Sequence, residues 1–102
     1  MSNGNGATGQ ARLPVTQGGI HRAILRHRRS EDWNSILELA SKLRPAVASF
    51  RVVRAAIDAA LSINSADGIF LAVNLAIHTP ATGVERASYA TQFVKRGYNN
   101  EG

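Results

Sequence analysis

Apolar positions recur at helical spacing along most of the chain. In 20–29, Ile20, Ala23, Ile24 and His27 share one helix face, and Arg22, Arg26 and Arg29 share the opposite one at i, i+4 and i+7. Thr16 is an available cap upstream, with Gly18 and Gly19 between. The spacing predicts a second helix over 31–43. Its apolar stripe is Trp33, Ile36, Leu37, Ala40 and Leu43, with Leu39 beside it. Ser30 reads as the N-cap, and Glu31 and Asp32 as first-turn acids favoured by the positive end of the helix dipole. Pro45 ends that helix or opens the next at its first position.

Segment 45–62 carries the longest helical pattern. Ala46, Phe50, Val53, Ile57, Ala60 and Leu61 form a broad core face. Ala48, Val52, Ala55 and Ala59 form a second stripe of small residues, and Arg51, Arg54 and Asp58 lie between the two. A helix apolar on two sides sits between two layers. In so short a chain the second layer is expected to be another subunit, which makes Ala48, Val52, Ala55 and Ala59 the candidate dimer interface. Arg54 and Asp58, at i and i+4, are expected to pair.

A turn follows over 62–68, with Ser65 as a further cap. Segment 69–78 is apolar nearly all round, and periodicity alone does not separate buried helix from strand. Nothing else in the chain reads as a strand partner, so helix is expected. Thr79 and Pro80 stop it. Thr82 and Glu85 then match a capping box. Val84, Ala87, Ala90 or Thr91, and Val94 continue at helical spacing; Tyr89 and Phe93 are an i, i+4 aromatic pair and core candidates. Lys95 and Arg96 occupy the last turn, and Gly97 is a natural residue past its end.

These elements predict an all-α fold, a compact bundle of four to five short helices. A domain of this size buries about 60–70% of its unfolded-chain surface, so dimerisation is expected to help it. Residues 1–19 hold five of the nine glycines and are expected to be a flexible tail. Residues 20–97 are expected to form the single domain, and 98–102 to fray. The chain of 102 residues has room for one domain. Its 44% apolar and 19% charged content is that of an average soluble domain.

With no cysteine, disulfides, thiolate metal sites, Fe–S clusters and a Cys nucleophile are excluded. The start lacks the apolar stretch of a secretory signal. The longest apolar run, 69–73, is far short of the roughly 20 residues of a membrane span. Ser2 is not the glycine of myristoylation, and the Glu–Gly end is no prenylation box. An intracellular setting is expected, host cytoplasm if the protein is viral, with no membrane contact.

Signals for catalysis are missing. The acids are scattered, and the adjacent Glu31 and Asp32 do not share a helix face. His21 and His27 fall on different faces, and His78 is remote from both in sequence. There is no HExxH, GxSxG, P-loop, GxGxxG or EF-hand pattern. No metal, cofactor or enzymatic activity is expected.

Charge placement carries the functional expectation. Twelve basic residues against seven acidic ones give +5 and a pI near 10.8. Residues 1–54 hold nine basic and three acidic groups, a net of +6; residues 55–102 hold three and four, a net of −1. Arg22, Arg26, Arg28 and Arg29 cluster with no acid among them, and Lys42, Arg44, Arg51 and Arg54 continue the basic character. Like charges at these spacings repel, and an anionic partner relieves that cost. Guanidinium forks suit phosphate. The eight residues are therefore the candidate nucleic-acid contacts: sequence-independent binding of a duplex, RNA ahead of DNA, through the phosphate backbone. Trp33 has two readings, base stacking and core packing, and its place on the apolar stripe favours the core. Neither a helix-turn-helix nor an RNP-type aromatic pattern is present.

At the level of architecture alone, a small helical dimer with arginine rows is similar to some viral suppressors of RNA silencing, which grip duplex RNA. The alternative is an oligomeric structural or adaptor protein whose basic face binds an acidic protein.

Overall fold

Five α-helices follow one another through residues 16–95, the part of the chain that the computed structural model describes. They are α1 (Gln17–Arg29), α2 (Trp33–Ala40), α3 (Phe50–Ile63), α4 (Ala66–His78) and α5 (Gly83–Lys95), with a 3-10 turn at Pro45–Val47. The fold is all-α, and segment 69–78 is helix. The expected tail over 1–19 is too long, because Thr16 caps α1 and Gln17, Gly18 and Gly19 form its first turn; residues 1–15, the fraying end and the Gly97 stop lie outside the described residues.

Helix α3 touches each of the other four helices. Its two apolar sides each belong to a separate cluster. Val52, Ala55, Ala56 and Ala59 pack with Ile20, Ala23 and Ile24 of α1 and with Ile36, Leu39 and Ala40 of α2. Val53, Ile57, Ala60 and Leu61 pack with Ile69 and Ala72 of α4 and Tyr89 of α5. The two layers predicted from the pattern are therefore both supplied by this chain. That corrects the expected dimer interface. Val52 and Ala59 have no exposed surface, Ala55 is buried, and Ala48 is buried in the second cluster. The stripe is core, and its small side chains let α1 and α2 approach α3 closely. A second copy has nothing there to touch.

Local caps set the helix starts. Thr16 Oγ1 accepts from Gly19 N at 2.9 Å, and α1 starts at Gln17, three residues before its expected start. Ser49 caps α3 and Ser65 caps α4, accepting from Val52 N and Gly68 N. The capping box of α5 is reciprocal: Thr82 N donates to Glu85 Oε1 at 2.9 Å, and Glu85 N donates to Thr82 Oγ1 at 3.1 Å.

Ser30 is not the cap of α2. It closes α1, and its hydroxyl donates to His27 O. Glu31 then turns the chain in the left-handed region, at φ 56°. That reversal leaves Asp32 as the cap, accepting from Ser35 N and from the Ser35 hydroxyl at 2.8 Å. The Ser35 hydrogen bond, before any other influence, holds the Asp32 carboxyl below its ordinary range.

Helix α2 stops at Ala40 rather than at 43. Arg44 is extended, as a residue before proline tends to be. The predicted 45–62 helix is broken as well, because Ala48 and Ser49 are extended and α3 starts at Phe50. Ala46, expected on the core face, is exposed. Asn64, in the left-handed region, ends α3 and shortens the predicted turn.

Helix α5 has two candidate apolar sets, and the aromatic one faces in. Tyr89 is buried, 5.6 Å from the Phe50 ring, while Val84 is 81% exposed and Val94 is also exposed. Two large rings bury more apolar area than valine and alanine. Burial, then the nearby Glu85 carboxylate, push the Tyr89 phenol above its ordinary value. Arg86 fastens α5 to α4: its guanidinium donates to the carbonyls of Ala76, Ile77 and Thr79 at 3.1–3.3 Å, covering groups that the end of α4 leaves open.

Gly68 lies where α4 crosses α2 and α3. A Cβ there would stand 2.9 Å from both Leu37 Cδ1 and the capping Ser65 Oγ. Gly68→Ala is expected to destabilise the fold by about 1–3 kcal/mol, read as a lower urea midpoint. An unchanged midpoint would show that the α4 cap and Leu37 yield without cost.

Candidate nucleic-acid interface

Helix α1 turns Ile20, Ala23 and Ile24 into the core, so Arg22, Arg26 and Arg29 must point outward. Helix α3 is buried on most of its circumference, and its exposed strip carries Arg51 and Arg54. Because α1 packs beside α3, the two sets meet. Arg22, Arg26 and Arg29 surround one depression of about 320 Å³ together with Leu25 and with Arg51 from α3. None of these four arginines has a carboxylate partner among the described residues.

The surface continues. An adjoining depression shares Leu25 and Arg51 with the first and adds Arg28, Phe50, Arg54 and Asp58. A cleft beyond it shares Arg28, Arg54 and Asp58, and is completed by α5 through Ser88, Thr91 and Lys95 over Gln92. Asp58 lines the second and the third, and the first has no acid in its lining.

Arg28 and Arg54 are held in place. Arg28 pairs with Asp58 at 2.8 Å, and its guanidinium lies 5.4 Å from the Trp33 ring centroid. Arg54 Nε donates to Gln92 Oε1 at 3.2 Å, and its guanidinium lies 5.7 Å from the Phe50 ring. Gln92, only 7% exposed, also donates from Nε2 to Asp58 Oδ1 at 2.7 Å and to Arg54 O at 2.9 Å. The expected Arg54–Asp58 pair does not form. Gln92 stands between them, and Arg54 turns toward Phe50. Trp33 is half-buried against the core, and Arg28 lies over its ring.

Six of the eight sequence-predicted contacts thus share one surface: Arg22, Arg26, Arg28, Arg29, Arg51 and Arg54. Lys42 and Arg44 are exposed but line none of its depressions. They emerge beside the start of α1, where the Gln17 side chain donates to Lys42 O and accepts from Arg44 N. Lys95 belongs to the surface and is not in the predicted set. The only sequence signal for it is its place in the last turn of α5; what brings it here is the crossing of α5 over α3. Among the described residues no three His, Asp or Glu side chains come together as metal ligands. His27 Nδ1 lies 3.3 Å from Asp32 Oδ2, at the α1–α2 turn.

Gln92→Ala removes every side-chain hydrogen bond that joins α5 to Arg54 and Asp58. It is expected to destabilise the protein by about 1–3 kcal/mol, measured by urea unfolding. Wild-type stability in that variant would mean that packing and the Arg86 hydrogen bonds suffice to seat α5. Comparison with known protein families, characterised proteins and solved structures finds no match, so function has to be argued from this surface.

Proposed function

We propose that the protein is a non-enzymatic binder of duplex nucleic acid, with duplex RNA ahead of DNA, acting inside a cell through contacts to the phosphate backbone. The observation that carries this reading is the depression ringed by Arg22, Arg26, Arg29 and Arg51, four guanidinium groups from two helices with no acid among them. Such a cluster raises the local potential and repels itself, and a polyanion relieves both. Arg22 and Arg29 are seven residues apart, about 10 Å along the helix, a span suited to successive phosphates or to the two sides of a groove. Contacts of this kind give affinity without base specificity.

Duplex is favoured over single strand by the aromatic residues of the surface. Single-strand binders offer bare rings for bases to stack on. Here Trp33 and Phe50 lie under Arg28 and Arg54. Gripping duplex RNA, as some viral suppressors of RNA silencing do, needs only this chemistry.

Fluorescence anisotropy with labelled duplex RNA, duplex DNA and single-stranded RNA tests the reading. Duplex affinity should fall steeply with salt, by a slope that reports the number of phosphates neutralised. Arg26 is exposed, so Arg26→Glu should keep the wild-type circular dichroism while weakening duplex binding at least about tenfold, or 1.4 kcal/mol. Wild-type affinity in that variant would refute the assignment.

The dimer belongs to the same proposal, seated outside the basic depressions. Helix α4 lines none of the basic depressions. It presents Ala66, Phe70, Val73 and Ile77 at spacings of four, three and four; Phe70 is 73% exposed and Ile77 59%. That spacing is symmetric, so an antiparallel copy sets Phe70 against Val73 and Ala66 against Ile77. It also brings Asp67 near the His78 end of the partner helix. Sedimentation equilibrium should find a wild-type dimer and a folded Phe70→Lys monomer. A monomeric wild type at micromolar concentration would remove the dimer.

A further inference from the structure

The cleft at the α5 end of the basic surface differs in kind from the open arginine row. It is a recess of about 310 Å³, at the lower end of the range for small-ligand pockets. Its cations are Arg28, Arg54 and Lys95, its carboxylate is Asp58, and Ser88 and Thr91 supply hydroxyls. In the row, Arg22, Arg26, Arg29 and Arg51 have no carboxylate partner among the described residues. In the cleft, two guanidinium groups are already oriented. Asp58 and Trp33 hold Arg28; Gln92 and Phe50 hold Arg54.

Orientation leaves donors unused. Arg54 spends Nε on Gln92 and keeps both terminal nitrogens; Arg28 spends one terminal nitrogen on Asp58 and keeps the other and Nε. A compact tetrahedral anion can take these donors together, and fixed donors lose little freedom when they bind it.

Charge selects the kind of anion. Three cations and one carboxylate leave a net of +2 in the lining. A phosphodiester carries a single negative charge, whereas a phosphate monoester carries about −1.5 to −2 near neutral pH. The monoester is the closer match. The cleft also shares Arg28, Arg54 and Asp58 with the depression that runs back to Arg51 and the row. A strand lying along the row can therefore end in it.

We propose that this cleft binds the terminal phosphate monoester of a nucleic-acid strand whose backbone lies along Arg22, Arg26, Arg29 and Arg51. The proposal rests on the duplex-binding reading and adds recognition of a strand end to it. Arg28, Arg54 and Lys95 take the phosphate oxygens, and Ser88 and Thr91 donate hydroxyl hydrogen bonds. Asp58, already engaged by Arg28 and Gln92, keeps the cleft from overcharging and fixes the guanidinium that faces the ligand.

The test uses two labelled RNA duplexes of one sequence, one with 5′-phosphate ends and one with 5′-hydroxyl ends. The wild-type protein should bind the phosphorylated duplex about tenfold more tightly. The difference should shrink as pH falls through about 6, where the monoester takes a proton. Thr91→Val should reduce the preference while binding the hydroxyl-ended duplex within about twofold of wild type, and Lys95→Met should weaken binding of the phosphorylated duplex more than of the hydroxyl-ended one. Equal affinity of the wild-type protein for both duplexes overturns the proposal.

If neither duplex binds, the backbone reading fails, and inorganic phosphate decides the cleft on its own. In that case millimolar phosphate that shifts the backbone amide resonances of Ser88, Thr91 and Lys95, where chloride at equal ionic strength does not, supports a phosphate site without a strand. Resonances unmoved by phosphate overturn that as well.

Discussion

The burial of α3 on two sides within one chain is the constraint on which the rest depends. Once Val52, Ala55, Ala56 and Ala59 are covered by α1 and α2, and Val53, Ile57, Ala60 and Leu61 by α4 and α5, little of α3 is left to meet solvent. Arg51 and Arg54 occupy that remainder. Helix α1 is fixed at the same time, since Ile20, Ala23 and Ile24 can reach the core in one orientation only. Its arginines then face the same side as those of α3. Apolar burial wins over the resulting repulsion. Like-charge pairs on a helix cost about 0.2–0.5 kcal/mol each, while burying one isoleucine such as Ile24 contributes about 1.5–3 kcal/mol. The fold can therefore hold a cationic cluster together without neutralising it.

The same surface handles its cations in two ways. Arg22, Arg26 and Arg29 of α1 are left open, with no carboxylate partner among the described residues. Toward α5, Asp58 and Gln92 gather Arg28 and Arg54 into a network with fixed distances. Partial burial makes that network sensitive to the loss of any member, because each group left behind would be desolvated and unpaired. Open charge suits a long, repetitive ligand approached from many directions. Fixed charge in a recess suits one small group in one pose.

What was legible in the sequence was local. Thr16, Ser65 and the Thr82–Glu85 box cap their helices, because the bonds close within three residues. The arginine row on α1 follows directly from 3.6-residue periodicity. Ser30 misleads because a one-residue, left-handed reversal at Glu31 passes the capping role to Asp32, and nothing in the spacing announces an unfavourable φ at a glutamate. Segment 45–62 reads as one helix because Ala46 and Ala48 keep the period even though the backbone there is not α-helical. The pattern of α3 correctly shows two covered sides but does not say whose atoms cover them. Gln92, Arg86 and Lys95 are illegible for a related reason. Each acts across a helix crossing: Gln92 on α3, Arg86 on the end of α4, Lys95 beside Arg28 and Arg54.

Charge along the chain and charge in space are accordingly different quantities. The halves of the sequence differ by seven charges, +6 against −1, which would suggest a basic half and a neutral half. The fold mixes them. Asp58, from the neutral half, sits among Arg28, Arg51 and Arg54 and tempers them. Lys95, from near the described C-terminal end, returns to extend the basic surface, and Gln92 fixes the geometry between. Helix α4 lines none of the basic depressions and leaves Phe70 and Ile77 exposed. The open arginines of α1 and α3 and the exposed Phe70 and Ile77 of α4 thus sit on different helices, and what fixes their places is the packing of each helix on α3.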